Sequence, residues 1–370
     1  MPSAIVIGAG VFGASLADRL ARSGWELILL DRREPGDPRS ESGGETRLIR
    51  CSHGPDAFYA RSARRALPTW RELGVVEEVG LVWFARSSDG WEAESERVLR
   101  EEGIPVERVS PDDAARLFPD VRVDDLEFVL HEPEAGALRA ADGVRALVTR
   151  AREAGARLLR AEALPEGAAV RAGAEMLEAD AVVWACGAWL AGLFGELVPL
   201  RVTLQELVLF DVPIDWRGPG WVDFDGAFYG HGRIDPFGFK VGPDVDGPAV
   251  DPEERPLAAR PSAIAAAREY LAHRFPAITE APLASAPGCH YSLTADGQFL
   301  FDRHPDHDQV WLLGGGSGHG YKHGPALAEH VEAVLAGRAA PEPRFALTQR
   351  APTRSLRTAG FGRGGGPLAG

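Results

Sequence analysis

The segment AIVIGAGVFGASLADRL, residues 4–20, limits what this chain can fold into more than any other stretch. Ala4–Gly10 is a short apolar run with β-branched residues that stops at glycine, as a buried strand does. Gly8, Gly10 and Gly13 complete GxGxxG around Val11 and Phe12. Leu16 and Leu20 then share one face of a helix that Gly24 ends, and ELILLD forms a second buried strand closing at Asp31. Such a unit binds a dinucleotide. Its glycines admit a tight turn and let a pyrophosphate approach the helix N-terminus, while the acid accepts from a ribose hydroxyl. The glycine spacing alone is weak; the strand–helix–strand order around it gives it force.

Composition sets the outer bounds. At roughly 100–200 residues per domain, 370 residues predict two domains. Hydrophobic residues at 45% and charged residues at 25% fit a soluble globular chain and exclude a mainly disordered one. A net charge of −14 disfavours nucleic acid or an anionic membrane as a partner, while leaving room for a local basic pocket. Cys51, Cys186 and Cys289 show no CxxC spacing, so neither a disulfide framework nor a metal site is expected. There is no basic leader and no apolar run of the ~18–20 residues that a membrane span needs, so a cytoplasmic protein is expected.

Residues 35–53 read as a polar, glycine-rich loop, and Phe58–Leu73 as an amphipathic helix. Helices are also predicted at Trp91–Glu102, around SPDDAARLF, and at Asp142–Gly155, Ser262–Phe275 and Pro325–Gly337. ARLLRA, DAVVWACGAW and VWLLGGG read as further strands of the nucleotide-binding part. Between them, VTLQELVLFDV, GAFYGH and GFKVGP suggest a largely antiparallel sheet. The nucleotide-binding pieces therefore lie at the start, middle and end of the chain. The expected division is 1–80, 134–198 and 286–345 for one domain, 81–133 and 199–285 for the other, with 346–370 a low-complexity tail.

Of the 40 basic residues only Lys240 and Lys322 are lysines. In so arginine-rich a chain each lysine has two readings: a chance survivor on the surface, or a place where a compact ammonium does what a planar guanidinium does not. Arg47 and Arg50 are three apart, on one face if helical and on opposite sides if extended.

In order and spacing, five blocks resemble the glycine/D-amino-acid-oxidase superfamily of FAD enzymes, and within it the monomeric sarcosine oxidase and N-methyltryptophan oxidase branch. They are the opening through Asp31, SGGETRLIR (Ser42–Arg50), CGAW (Cys186–Trp189), CHYSLTADGQFLFDRHP (Cys289–Pro305) and GGGSGHGYKHG (Gly314–Gly324). The resemblance spans residues 3–340. It implies a mixed α/β and α+β fold: a Rossmann-like FAD-binding domain interleaved with a substrate domain on a mainly antiparallel sheet. Cofactor contacts would come from Gly8, Gly10, Val11, Phe12, Gly13, Asp31, Arg32, Ser42, Thr46, Arg47, Gly318, His319, Gly320 and Lys322.

By the same resemblance, Arg47 lies against the flavin ring, and Arg50 with Lys322 grips the substrate carboxylate, a task suited to a guanidinium fork. Lys240 activates oxygen, a fixed cation stabilising the negative charge that forms on dioxygen. Cys289, which keeps the Cys-x-Tyr spacing with Tyr291, implies a covalent cysteinyl link to FAD; a buried core cysteine is the other reading. Tyr229 and Tyr291 either cover the substrate cleft or fill the core.

The implied reaction is FAD-dependent oxidation of the C–N bond of a secondary or cyclic amino acid to an imine, with O₂ reduced to hydrogen peroxide, by a monomer. A dehydrogenase of the same superfamily, passing electrons to another acceptor, is the alternative, and a catalytically dead FAD-binding protein a further one. The chain departs from the sarcosine oxidase pattern at Gly43, Cys51 and Asp244, where that enzyme has histidines. Sarcosine itself is therefore doubtful as substrate. Two readings stay open: Gly43 and Pro243 widen the pocket for a larger amine, or Asp244 selects a basic or hydroxylated one.

Overall fold

The computed structural model describes residues 1–114, 116–347 and 350, so most of the expected tail lies outside the described residues. Ser3–Ile7 sits near the middle of a six-stranded sheet. The order is Leu300–His304, His307–Gly314, Ala181–Trp184, Ser3–Ile7, Glu26–Asp31, Arg157–Arg160. All neighbours run parallel except the first pair. Val6 pairs with Val183 on one side and Leu29 on the other.

A parallel sheet needs cover on both faces, which is why this strand is apolar throughout. Alternation along it sends Ala4 and Val6 into a cluster with the helices Val11–Arg22, Ala140–Glu153 and Gly324–Leu335. Ile5 and Ile7 face the other way, toward Val170 and Ala172. Those two belong to a small three-stranded sheet, Ala163–Glu166, Ala169–Ala172 and Glu175–Leu177, that the sequence did not announce.

The second large sheet has eight strands, ordered Leu283–Ser285, Val208–Phe210, Gly238–Pro243, Phe228–Ile234, Gly220–Asp223, Leu81–Ala85, Phe128–Glu132, Glu107–Val109. It is antiparallel as expected, save for Gly220–Asp223 beside Leu81–Ala85. The helix Pro261–Arg274 covers it, with Ala267 and Leu271 packed among Phe210, Phe239 and Val241.

The stretch 35–53 is not all loop. Thr46–Ile49 is a strand that pairs antiparallel with Gly136–Arg139. That partner lies some 90 positions along the chain, and local composition carries no sign of it.

The glycine turn is one of the tightest packing points. Gly8 has φ +102°, and a Cβ there would fall 2.4 Å from Ala185 O; a Cβ on Gly13 would fall 1.8 Å from Gly8 O. Gly13→Ala should destabilise the protein by about 1–3 kcal/mol or more, because rigid backbone has to move. Gly192 is helical with nothing within 4 Å of where a Cβ would sit, so Gly192→Ala should be neutral or stabilise by up to about 1 kcal/mol. Urea titrations of the two variants test the contrast.

Candidate active site

The site begins where the helix Val11–Arg22 meets the sheet. Gly10 precedes the helix in an extended conformation and offers no side chain to cap it. Ser42 does so from outside, its hydroxyl accepting from Val11 N–H at 2.9 Å. Asp31 braces the turn from below, accepting from Ala9 N–H at 2.6 Å and Arg33 N–H at 2.8 Å. Burial raises its carboxyl above the usual range.

These residues border a cavity of about 310 Å³ that extends to Arg47, Tyr291 and Tyr321. Of the residues expected to touch the cofactor, Gly8, Gly10, Val11, Phe12, Asp31, Arg32, Ser42, Arg47, Gly318 and Gly320 line it. Gly13 instead packs against Gly8, and Thr46, Cys289, His319 and Lys322 are not part of the lining. A cavity at a helix start, with an acid at the neighbouring strand end and glycine backbone in its wall, fits a dinucleotide.

Arg47 joins this cavity to the second sheet. Its backbone is in the strand Thr46–Ile49, so the extended alternative holds and Arg47 and Arg50 diverge. Arg47 donates to Thr46 O at 2.7 Å and to Glu41 O and Gly43 O, each at 2.9 Å, and its Nη2 lies 3.8 Å from Cys289 Sγ. Cys289 and Tyr291 share the half-buried face of the strand Gly288–Leu293, while Gly288, His290 and Ser292 are buried behind it. Tyr291 Oη is 3.2 Å from Tyr229 Oη.

Lys240 approaches the same point from Gly238–Pro243. Phe239 and Val241 face the core beneath the second sheet, so strand alternation turns Lys240 the other way. It is 1% exposed. Its Nζ donates to Thr46 O at 3.1 Å and sits 5.4 Å from the Tyr229 ring. Burial, aided by Arg47, lowers its pKa to about 7. His231, across the ladder, hydrogen-bonds Thr46 Oγ1 at 2.8 Å through Nε2 and the Gly232 carbonyl at 2.7 Å through Nδ1. Burial, then Lys240, lowers its pKa to about 3, so it stays neutral.

Arg50 and Lys322 form a separate end. Arg50 donates to Ser52 O and lies over the Trp83 ring at 4.8 Å; Lys322, 3% exposed, donates to His319 O at 3.0 Å. Both charges act on His53, which burial already drives well below its ordinary pKa. His53, His319 and His323 are buried together, one ring nitrogen of each within 4.8 Å of the others. Their other nitrogens meet Cys51 O, Gly297 O and Ser62 Oγ. That spacing admits a metal ion, which the sequence did not suggest, but the neighbouring cations Lys322 and Arg50 oppose a divalent one.

Three contributors were missed. Glu132 accepts from Cys51 N–H at 2.7 Å and from the Ser52 hydroxyl and Trp83 Nε1, fixing the turn that carries Arg50. Glu41, in the cavity wall, accepts from Ser292 N–H at 2.5 Å, and burial pushes it up to about 7. His231 is the third. None stands in a motif; each acts through strands distant in sequence. Gly43 needs correcting. A Cβ there would fall 2.2 Å from Asp37 O, so this glycine permits a close backbone crossing and opens no pocket.

Comparison with known proteins agrees with this geometry. The family model for FAD dependent oxidoreductase matches residues 3–333. The chain is 26% identical over 350 residues to monomeric sarcosine oxidase from Bacillus sp. (strain B-0618), covering 88% of this chain and 90% of that protein. It is 26% identical over 376 residues to N-methyl-L-tryptophan oxidase from Salmonella typhimurium, covering 93% and 96%. Among solved structures, L-proline dehydrogenase from P. horikoshii superposes with a TM-score of 0.81 at 20% identity, covering 94% of this chain and 96% of that one. At that identity the likeness speaks for the fold.

A lysine whose native pKa lies near 7, against 10.5 when unfolded, holds fewer protons in the folded state, so stability should rise with pH between those values. Lys240→Met should therefore stabilise the protein by about 2 kcal/mol or more at about pH 6, and by progressively less toward about pH 10. Urea midpoints of variant and wild type at the two pH values check this.

Proposed function

The chain belongs to the family of FAD dependent oxidoreductases, and from that premise we propose that it oxidises the C–N bond of a secondary or cyclic, N-substituted amino acid to an imine, with dioxygen going to hydrogen peroxide. The observation that carries the reading is the meeting of Arg47 and Lys240 on one carbonyl, that of Thr46, beside Cys289. The named activities of the sarcosine and N-methyltryptophan oxidases support the substrate class.

FAD held here would supply a two-electron acceptor for the hydride equivalent lost from the carbon next to nitrogen, and a donor to dioxygen afterwards. The protein's part is binding, orientation and charge. Gly8, Gly10, Ser42, Asp31, Gly318 and Gly320 would hold the dinucleotide and Arg47 the flavin, with Thr46 and His319 supporting them. Arg50 and Lys322 grip the substrate carboxylate and so fix which carbon faces the acceptor; much of the rate comes from that orientation. The Tyr229–Tyr291 pair walls the cleft. The amine enters neutral, and no residue is assigned as a general base. Protonated Lys240 stabilises the negative charge that dioxygen gains. Cys289, 3.8 Å from Arg47 Nη2, is the residue that would tether the cofactor. The domain division stated from the sequence is kept as part of this proposal, as is a cytoplasmic monomer. Among the described residues no helix is long and apolar enough to cross a membrane.

A peroxide assay across N-methyl, cyclic and other N-substituted amino acids tests the reaction. Substrate oxidation with an artificial acceptor but no peroxide would favour the dehydrogenase instead. Lys240→Met should slow the oxygen-dependent half-reaction by about 10²-fold while sparing the substrate half-reaction. Wild type should give a yellow pellet on acid precipitation and Cys289→Ala a colourless one.

A further inference from the structure

One residue of the β-rich inserted region, partly exposed, reaches the cavity from the side opposite the glycine motif's own domain. Glu253 lies between the strand Gly238–Pro243 and the helix Pro261–Arg274, yet it lines the cavity beside Arg32, Arg33 and Trp189. Its carboxylate accepts from Arg32, from Arg33 Nη2 at 3.2 Å and from Trp189 Nε1 at 2.5 Å. The two guanidiniums themselves lie over the Trp189 ring at 5.1 and 4.9 Å. One side chain of the inserted region thus engages the three groups that frame this opening from the nucleotide-binding side.

The approach of this residue is set by its own segment. Asp251 accepts from Glu253 N–H at 2.8 Å, turning the chain toward the cavity. Upstream, Val250 N–H donates to Val202 O at 3.1 Å; downstream, Gly288 N–H donates to Leu257 O at 2.8 Å. Arg255, only 6% exposed, ties the segment to both sides, donating to Pro38 O at 2.5 Å and Gly288 O at 2.8 Å. The contrast in burial matters. The Glu253 side chain is 45% exposed and that of Arg32 32%, so their ion pair is screened and cheap to open, whereas Arg255 is anchored under cover.

We infer that residues 251–256 are a clasp over the cofactor cavity: Arg255 fixes its base, and Glu253 closes the mouth on Arg32, Arg33 and Trp189 once FAD is in place, so that both act as positioning residues for cofactor retention. The inference rests on the FAD reading above. A dinucleotide passing this mouth breaks the Glu253 contacts, and their reformation slows its return.

The test uses the Cys289→Ala protein, in which FAD is held without a tether. FAD release is followed by the rise in flavin fluorescence after dilution. Glu253→Ala should release FAD about 3- to 10-fold faster, as expected for the loss of two screened ion pairs, and Glu253→Gln should fall between it and the parent. Arg255→Met should release it faster still. Raising salt should speed release from the parent and leave Glu253→Ala nearly unchanged, a response that general loosening of the fold would not give. Equal release rates for the parent and both Glu253 variants, which are exposed enough not to threaten folding, overturn the clasp alone. A parent that takes up no FAD overturns the cofactor reading and the clasp together.

Discussion

Burying cations on main-chain carbonyls is the constraint around which this protein is arranged. Arg47 donates to three carbonyls, and Lys240 shares one of them at Thr46. A carbonyl satisfies an N–H donor without cancelling its charge, whereas a carboxylate would do both. Buried positive charge is therefore concentrated around Thr46 and around Arg50 and Lys322, although the chain as a whole carries −14. The neutral His231 beside Lys240 and the neutral His53 beside Lys322 and Arg50 are consequences of it, since burial and nearby positive charge both disfavour imidazolium. An acidic substrate and a reaction that builds negative charge on oxygen are what such an interior suits.

The two sheets divide the work of holding this charge in place. The first presents glycine backbone and one acid, and the second presents Lys240 and Tyr229 from neighbouring strands. The strand Thr46–Ile49 lies between them and belongs to neither. It supplies the carbonyl on which both cations meet and, just past its end, Arg50, whose turn Glu132 holds. In the reading proposed here, cofactor and substrate meet along that strand.

Much of this was legible in the chain. The glycine turn identified itself because Gly8 and Gly13 satisfy local steric demands that no other residue meets. Lys240 could be placed on a strand from the pattern GFKVG, and its rarity as a lysine drew attention to a position that proves fully buried. What could not be read depends on pairings between distant segments. Thr46–Ile49 looked like loop because its partner, Gly136–Arg139, is remote, and Glu41 and Glu132 drew no attention because the amides they serve lie 251 and 81 positions away. Gly43 was misread for a related reason. A glycine in a sequence says that a side chain is missing, not whether the space is empty or already taken by another part of the backbone.

The strand order of the first sheet bears on how the protein comes into being at the ribosome. Ser3–Ile7 is made well before Ala181–Trp184, which must arrive before it is flanked on both sides, and His307–Gly314 must arrive before that neighbour is flanked in turn. The strand Ser3–Ile7 therefore lacks one neighbour until Ala181–Trp184 has been made, and the helix Val11–Arg22 lacks its partner Gly324–Leu335 for longer still. Cofactor uptake becomes a late, whole-chain event, and a prematurely stopped chain would carry the glycine motif without a nest to put it in.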